Sequence, residues 1–285
     1  MFKNILIPIS SEFYQKEVLQ TGAFLAEKFD SIVTLFYIIE EKTLNQADKL
    51  SDTYRTQYDK EETKKEMIRR QILRADKIIF DDAKLFFKDK KILIKEEIVE
   101  GEFSAVVKGQ LNKKKYDLIL MGFEKECLLN YRLFDDVNIP IWIESGRDSN
   151  SILAVCSNLA PNQKVPEVSI NLSKILGWKL NMIYIVDMQD AVEVDKTGKR
   201  SEKKSEKELT DSGKQFVSDM QKKGIAVKLL KGNLEKEIDE TAEKARAKLV
   251  IIGREQKKKS ILGFPIKSIK KKIAEKCEYS ILFVN

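Results

Sequence analysis

Ile5-Leu6-Ile7-Pro8-Ile9-Ser10, near the start of the chain, is answered by Ile152-Leu153-Ala154-Val155-Cys156-Ser157, an offset of 147 residues. Phe36-Tyr37-Ile38-Ile39-Glu40 is answered at the same offset by Ile183-Tyr184-Ile185-Val186-Asp187. Further along the offset falls to 131. Gly101 to Gly122 and Gly232 to Gly253 are both separations of 21, each ending on an apolar run, Leu118-Ile119-Leu120-Met121 and Leu249-Val250-Ile251-Ile252. Two matches at one offset, followed by a shared glycine spacing, indicate an internal duplication.

The repeated runs are short, continuous and apolar, as expected of parallel strands covered on both faces. The pattern predicts strands at 3–9, 32–39, 92–99, 117–122 and 139–144, and again at 151–156, 179–186, 224–231, 248–253 and 280–284. Between them, stretches such as 12–29 and 234–247 carry apolar residues at spacings of three and four, the period of a half-buried helix. Strand and helix alternate throughout, so the predicted fold is α/β. Two doubly wound, five-stranded parallel-sheet domains follow, at 1–147 and 148–285.

Composition narrows the function. At 285 residues the chain holds two domains able to bury their own cores, and 42% hydrophobic content fits a globular protein. No apolar run approaches a membrane span, and no apolar leader is evident, so the expected location is cytoplasmic. Cys127, Cys156 and Cys277 are widely spaced and form no CxxC pair, which suggests neither a disulfide framework nor a metal site. Histidine is absent, removing the commonest general base and transition-metal ligand together. No paired acid and base recurs at the strand ends, where chemistry in such a sheet is placed. The net charge of +7 is concentrated in the second half, where 254–276 holds Arg254, Lys257, Lys258, Lys259, Lys267, Lys270, Lys271, Lys272 and Lys276 against Glu255 and Glu275. Ile266, Ile269, Ile273 and Cys277 give this stretch an apolar helical face, so the lysines read first as its solvated side. Only Phe264 accompanies them as an aromatic, which disfavours nucleic acid as a partner.

The halves differ in two places. The first has 16 more residues between its second and third strands, and most of that segment, 53–88, reads as one long helix with Met67, Ile72, Ile78, Ile79, Leu85 and Phe86 as its apolar positions. After the fourth strand it is the shorter one: Gly122 to Pro140 spans 18 positions, whereas Gly253 to Ser280 spans 27. Residues 190–206 read as a mobile loop leading into a helix.

The opening Lys3-Asn4-Ile5-Leu6-Ile7-Pro8, the glycines at 101 and 232, the pair Asp117-Leu118-Ile119-Leu120-Met121-Gly122 and Lys248-Leu249-Val250-Ile251-Ile252-Gly253, and the closing Ser268-Ile269-Lys270-Lys271-Lys272-Ile273 with Ser280-Ile281-Leu282-Phe283-Val284 together resemble the tandem form of the universal stress protein family. The resemblance implies an adenine nucleotide α-hydrolase-like fold in both halves. It also implies a pseudo-twofold axis across which the last strands pair, making the chain an internal pseudo-dimer, with a homodimer as a further candidate.

In ATP-binding members of that family an Asp ends the first strand, and a loop of pattern G-x2-G-x9-G-S/T wraps the phosphates. Glycines there permit close backbone approach, so that N–H groups point at phosphate oxygens beside a helix N-terminus. Here the Asp positions hold Ser10 and Ser157. The second loop starts at Gly253 but continues with Gln256 and Lys267 where glycines are expected, and Ser268 falls one residue late; Gly263 lies inside it. In the first half only Gly122 remains. Charge-assisted hydrogen bonds contribute roughly 1.5 to 3 kcal/mol each, so losing two or three leaves a deficit of about 3 to 9 kcal/mol. Even the lower figure weakens binding about a hundredfold.

The resemblance therefore implies a non-catalytic cytoplasmic stress-response or regulatory protein that does not bind ATP in the usual way. Candidate residues for a residual nucleotide or anion site are Ser157, Ile185, Gly253, Arg254, Gln256, Ser268 and Ile269, with ATP or another adenine nucleotide in the second domain as the candidate cofactor and no metal. Two alternatives stand beside this: an ATP-binding or slowly hydrolysing switch in the second domain, and an adaptor that binds an acidic protein partner through the lysine-rich final helix.

Overall fold

The computed structural model describes residues 1–10, 15–40, 57–74, 79–88, 94–122, 137–195, 199–254 and 278–284. The chain divides into two compact units, Met1–Leu133 and Phe134–Asn285. In the first, strands β1 (Asn4–Ser10), β2 (Ile32–Glu40), β3 (Ile94–Gly101) and β4 (Leu118–Gly122) lie in the order β3-β2-β1-β4, all parallel. Helices α1 (Lys16–Phe29), α2 (Gln57–Arg74), α3 (Asp81–Phe87) and α4 (Phe103–Lys113) belong to the same unit.

The apolar runs account for the sheet. Ile5, Leu6 and Ile7 of β1 are fully buried, as parallel strands with covered faces require. Helix α1 lies close on β1 because residue 22 is a glycine: a Cβ there would come within 2.6 Å of the Ile7 side chain. The helix stops at Asp30, which turns into the left-handed region at φ 50° and lets the Ser31 N–H bond the Ala26 carbonyl at 3.0 Å. Asp117 then ties the starts of β1 and β4 together, its carboxylate accepting from the N–H groups of Lys3 and Asn4, both at 2.9 Å.

In the second unit, β5 (Ile141–Glu144), β6 (Ser151–Ser157), β7 (Lys179–Val186), β8 (Lys228–Lys231), β9 (Leu249–Gly253) and β10 (Ser280–Val284) lie in the order β5-β10-β9-β6-β7-β8. Helices α5 (Lys164–Leu176), α6 (Glu206–Lys222) and α7 (Leu234–Lys244) complete it. The run β8-β7-β6-β9-β10 is parallel and repeats the winding of the first unit, giving the same α/β topology twice. Strand β5, the last of the first sequence repeat, pairs antiparallel with β10, the last of the second, with Trp142 opposite Leu282. No helix among the described residues is long and apolar enough to cross a membrane.

Two expectations change in detail. The segment 53–88 contains two helices, α2 and α3, with 75–78 outside the described residues. Its core positions are Ile79, Phe80, Ala83 and Phe87, whereas Leu85 is 66% exposed, because α3 turns the i, i+4 row of Ala83 and Phe87 inward. Residues 190–195 and 199–206 form an arm pinned to the body, with Val194 buried and bridged antiparallel to Arg200. Cys156 is an inert core thiol, its ionisation suppressed by complete burial; Cys127 and Cys277 lie outside the described residues.

The β5–β10 pair carries a buried carboxylate. Glu144 accepts hydrogen bonds from Trp142 Nε1, Ser280 Oγ and the Gly146 N–H, each at 3.0 Å. Glu144→Ala would leave these donors without their acceptor and is expected to destabilise the second unit by about 2 to 4 kcal/mol. Urea denaturation followed by tryptophan fluorescence measures this, and an unshifted midpoint would contradict it.

Candidate functional site

Ligands of doubly wound sheets sit outside the carboxyl ends of the strands, where helix N-termini offer unpaired amides. In the second unit those ends are Ser157 on β6, Val186 on β7 and Gly253 on β9. Ser157 and Ile185 are register partners on adjacent strands, and Gly253 closes β9, which itself pairs with β6 through Ile252 and Val155. Four of the predicted site residues, Ser157, Ile185, Gly253 and Arg254, are thus described. Gln256, Ser268 and Ile269 lie outside the described residues, as do Lys257, Lys258, Lys259, Gly263 and Lys267.

Each of the four has a structural engagement. Ser157 is fully buried, and its hydroxyl accepts from the Leu159 N–H at 2.9 Å. Its backbone N–H donates to Asn162 Oδ1 at 2.9 Å while Asn162 Nδ2 donates back to the Ser157 carbonyl at 2.8 Å, so the turn after β6 folds over itself. That turn brings the Pro161 carbonyl so close to Gly253 that a Cβ at 253 would lie 1.8 Å from the oxygen. Gly253 therefore serves a backbone-to-backbone contact within the protein. Ile185 is fully buried. Arg254 is buried as well: its N–H donates to the Val284 carbonyl at 2.7 Å, and its guanidinium donates to the carbonyls of Val137 and Ile139. This cation anchors the stretch leading into β5.

A residue outside the predicted set completes the arrangement. Asp187 directly follows β7 and is 2% exposed. Its Oδ2 accepts from the Leu234 N–H at the start of α7 at 2.7 Å, and its Oδ1 accepts from the Gln189 N–H at 2.7 Å. Asn233 caps the same helix, accepting from the Lys236 N–H at 3.0 Å. The positive end of α7 already holds a carboxylate, the kind of group that a phosphate would otherwise replace. Buried Asn158 fixes Asp187 in turn, accepting from its N–H at 2.8 Å and donating to its carbonyl at 2.9 Å. The sequence signal was present, since Asp187 answers Glu40 at the 147-residue offset and Glu40 is likewise buried at the end of β2.

In the first unit Ser10 is fully buried, and the side chains of Val18 and Gln15 close on Gly122, within 2.8 and 3.1 Å of where its Cβ would stand. Among the described residues no three metal-ligating side chains converge.

Residues 1–137 match the family model of the Universal stress protein family. The likeness of fold extends over both halves. A universal stress protein from Archaeoglobus fulgidus DSM 4304 superposes with a TM-score of 0.62 at 11% identity, with 98% of each chain covered. A protein of Pseudomonas aeruginosa UCBPP-PA14 assigned to the universal stress proteins gives 0.66 at 12% identity, over 99% of this chain and 93% of the other. A functionally unknown protein from Pseudomonas aeruginosa PAO1 gives 0.64 at 11% identity, over 99% and 92%. No curated protein matches the sequence. Residues 1–137 are thus similar to the universal stress protein family, and the described strands of the second unit repeat the same winding in tandem.

Proposed function

We propose that this chain is a non-catalytic stress-response or regulatory protein in which the strand-end site of the second unit does not take ATP in the usual way. The observation that carries the reading is the Asp187 carboxylate bound to the Leu234 amide at the start of α7. A triphosphate approaching that helix end would meet a fixed negative charge instead of free donors. Two further features support it. The Pro161 carbonyl occupies the approach to Gly253, and the Arg254 guanidinium is committed to the carbonyls of Val137 and Ile139. Ser157, at the position of the family's adenosine-contacting Asp, spends its hydroxyl on the Leu159 amide.

The same features argue against a hydrolytic switch. The buried carboxylate beside the start of α7, Asp187, already accepts from two backbone donors, and the sequence holds no histidine to serve as a base. Any regulation by this unit would then run through protein contacts or through a ligand of another kind.

Isothermal titration of the purified chain with ATP and magnesium tests the proposal. The expected result is no saturable heat below about 100 μM, the affinity left after a hundredfold loss from micromolar binding. Stoichiometric binding in the low micromolar range would overturn it and favour the switch. Substitution at Gly253 is a poor probe of binding, since any side chain there must displace the Pro161 backbone. Gly253→Ala is expected to lower the thermal midpoint of the second unit by several degrees, whether or not nucleotide is present. An unchanged midpoint in differential scanning calorimetry would show that the close approach does not exist in solution.

A further inference from the structure

A cleft of about 1200 Å³ opens in the second unit between α5, α6 and the arm that precedes α6. It lies on the helical face of β7, lined by Pro166 and Ile170 of α5 and by Phe216 and Met220 of α6, and none of the four predicted strand-end residues lines it. Its floor is Tyr184. The ring packs against Phe216 with centroids 5.1 Å apart, and Gly213 lets α6 approach so closely that a Cβ at 213 would stand 3.0 Å from the tyrosine ring.

These walls are fixed by the fold. A capping box starts α6 where the arm ends, with Ser205 and Glu208 each satisfying the other's backbone N–H. Lys204 ion-pairs with Glu193 across the arm, and the Lys204 N–H bonds the Ala191 carbonyl at 2.7 Å. The Val194 N–H bonds the Asn158 carbonyl at 2.8 Å, fastening the arm to the end of β6.

Tyr184 is the polar group on the floor of this cleft. The residue is 2% exposed, no group among the described residues hydrogen-bonds its hydroxyl, and that oxygen is not among the fully enclosed ones, so it opens on the cleft that the residue lines. A hydroxyl that is reachable only through a cavity, with no partner from the protein, is available to a molecule that occupies that cavity. Burial and the nearby Glu193 carboxylate hold the phenol in its protonated form, and a protonated phenol donates. An acceptor on the partner is what this proton would satisfy. The aromatic pair and the aliphatic walls suit a planar apolar body. The lining carries five acids and four bases, and two of the bases, Arg200 and Lys204, are already paired with Asp190 and Glu193. That balance gives no reason for an anion to enter.

We infer that the cleft between α5 and α6 binds a small uncharged aromatic molecule whose carbonyl or ring nitrogen accepts a hydrogen bond from Tyr184. This site is separate from the strand ends, and its occupancy does not depend on whether those ends take ATP.

Ligand-observed saturation-transfer NMR on the full chain tests the inference, with benzamide as probe, benzenesulfonate as anionic control and cyclohexanecarboxamide as non-aromatic control. Benzamide is expected to bind in the millimolar range typical of a fragment, and more tightly than either control. Tyr184→Phe, which keeps the ring and removes the donor, is expected to weaken binding about tenfold, the loss of one hydrogen bond. Met220→Trp, which fills the wall of the cleft, is expected to abolish it. Circular dichroism melting of both variants checks that the fold is retained. The inference is overturned if benzamide fails to bind the wild-type chain, if benzenesulfonate binds as well, or if benzamide affinity is the same in folded Tyr184→Phe and Met220→Trp.

Discussion

The second unit is organised by one electrostatic constraint: the amides that converge at the carboxyl ends of its parallel strands must be bonded, and the chain bonds them itself. A helix N-terminus beside a buried strand end is a positive, donor-rich corner, and leaving it dry and unpaired would cost several kcal/mol. Asp187 fills that corner from β7, and Asn158 clamps Asp187 from β6, so the two strand ends and α7 form one hydrogen-bonded unit. Residues that would be called ligand-binding from their position alone become parts of this internal network.

The network reaches further than the strand ends. Asn158 also donates to the Val192 carbonyl at 2.8 Å, and its own carbonyl accepts from the Val194 N–H. The arm that walls the cleft is therefore held by the residue that holds Asp187. The hydrogen bonds that close the strand-end corner and those that hold the wall of the cleft thus share one residue, Asn158. Arg254 adds a parallel case: a cation at the start of a degenerate phosphate loop is turned to backbone carbonyls near β5, where it secures the antiparallel pairing of the two terminal strands.

Much of this was legible in the sequence because the relevant signals are local. Continuous apolar runs repeated at a fixed offset identify covered parallel strands, and the resemblance of Ser280-Ile281-Leu282-Phe283-Val284 to a closing strand anticipated the β5–β10 pairing. A glycine such as Gly253 announces that something approaches closely, but the sequence does not say what; here it is the carbonyl of Pro161, 92 positions earlier. Arg254 reads as a phosphate cation because its direction depends on where residues 137–139 pass. Asp187 was visible as a repeated acid at a strand end, yet its role became apparent only once α7 was seen to start beside it. Tyr184, which answers Tyr37 at the 147-residue offset, packs on Phe216, and only the three-dimensional placement of α6 and the arm shows that it floors a cleft. Periodicity misled at Leu85, where a helical spacing was continued across a segment that contains two helices.

The claim that the strand ends of the second unit are closed from within is tested most directly by amide hydrogen exchange at Leu234, resolved by NMR or by peptides spanning the start of α7, with and without millimolar ATP and magnesium. A first-turn amide bonded to Asp187 should be strongly protected in the free chain and no more protected with nucleotide present. Rapid exchange at Leu234 in the free chain, or protection that appears only when nucleotide is added, would mean that the corner is an open phosphate site.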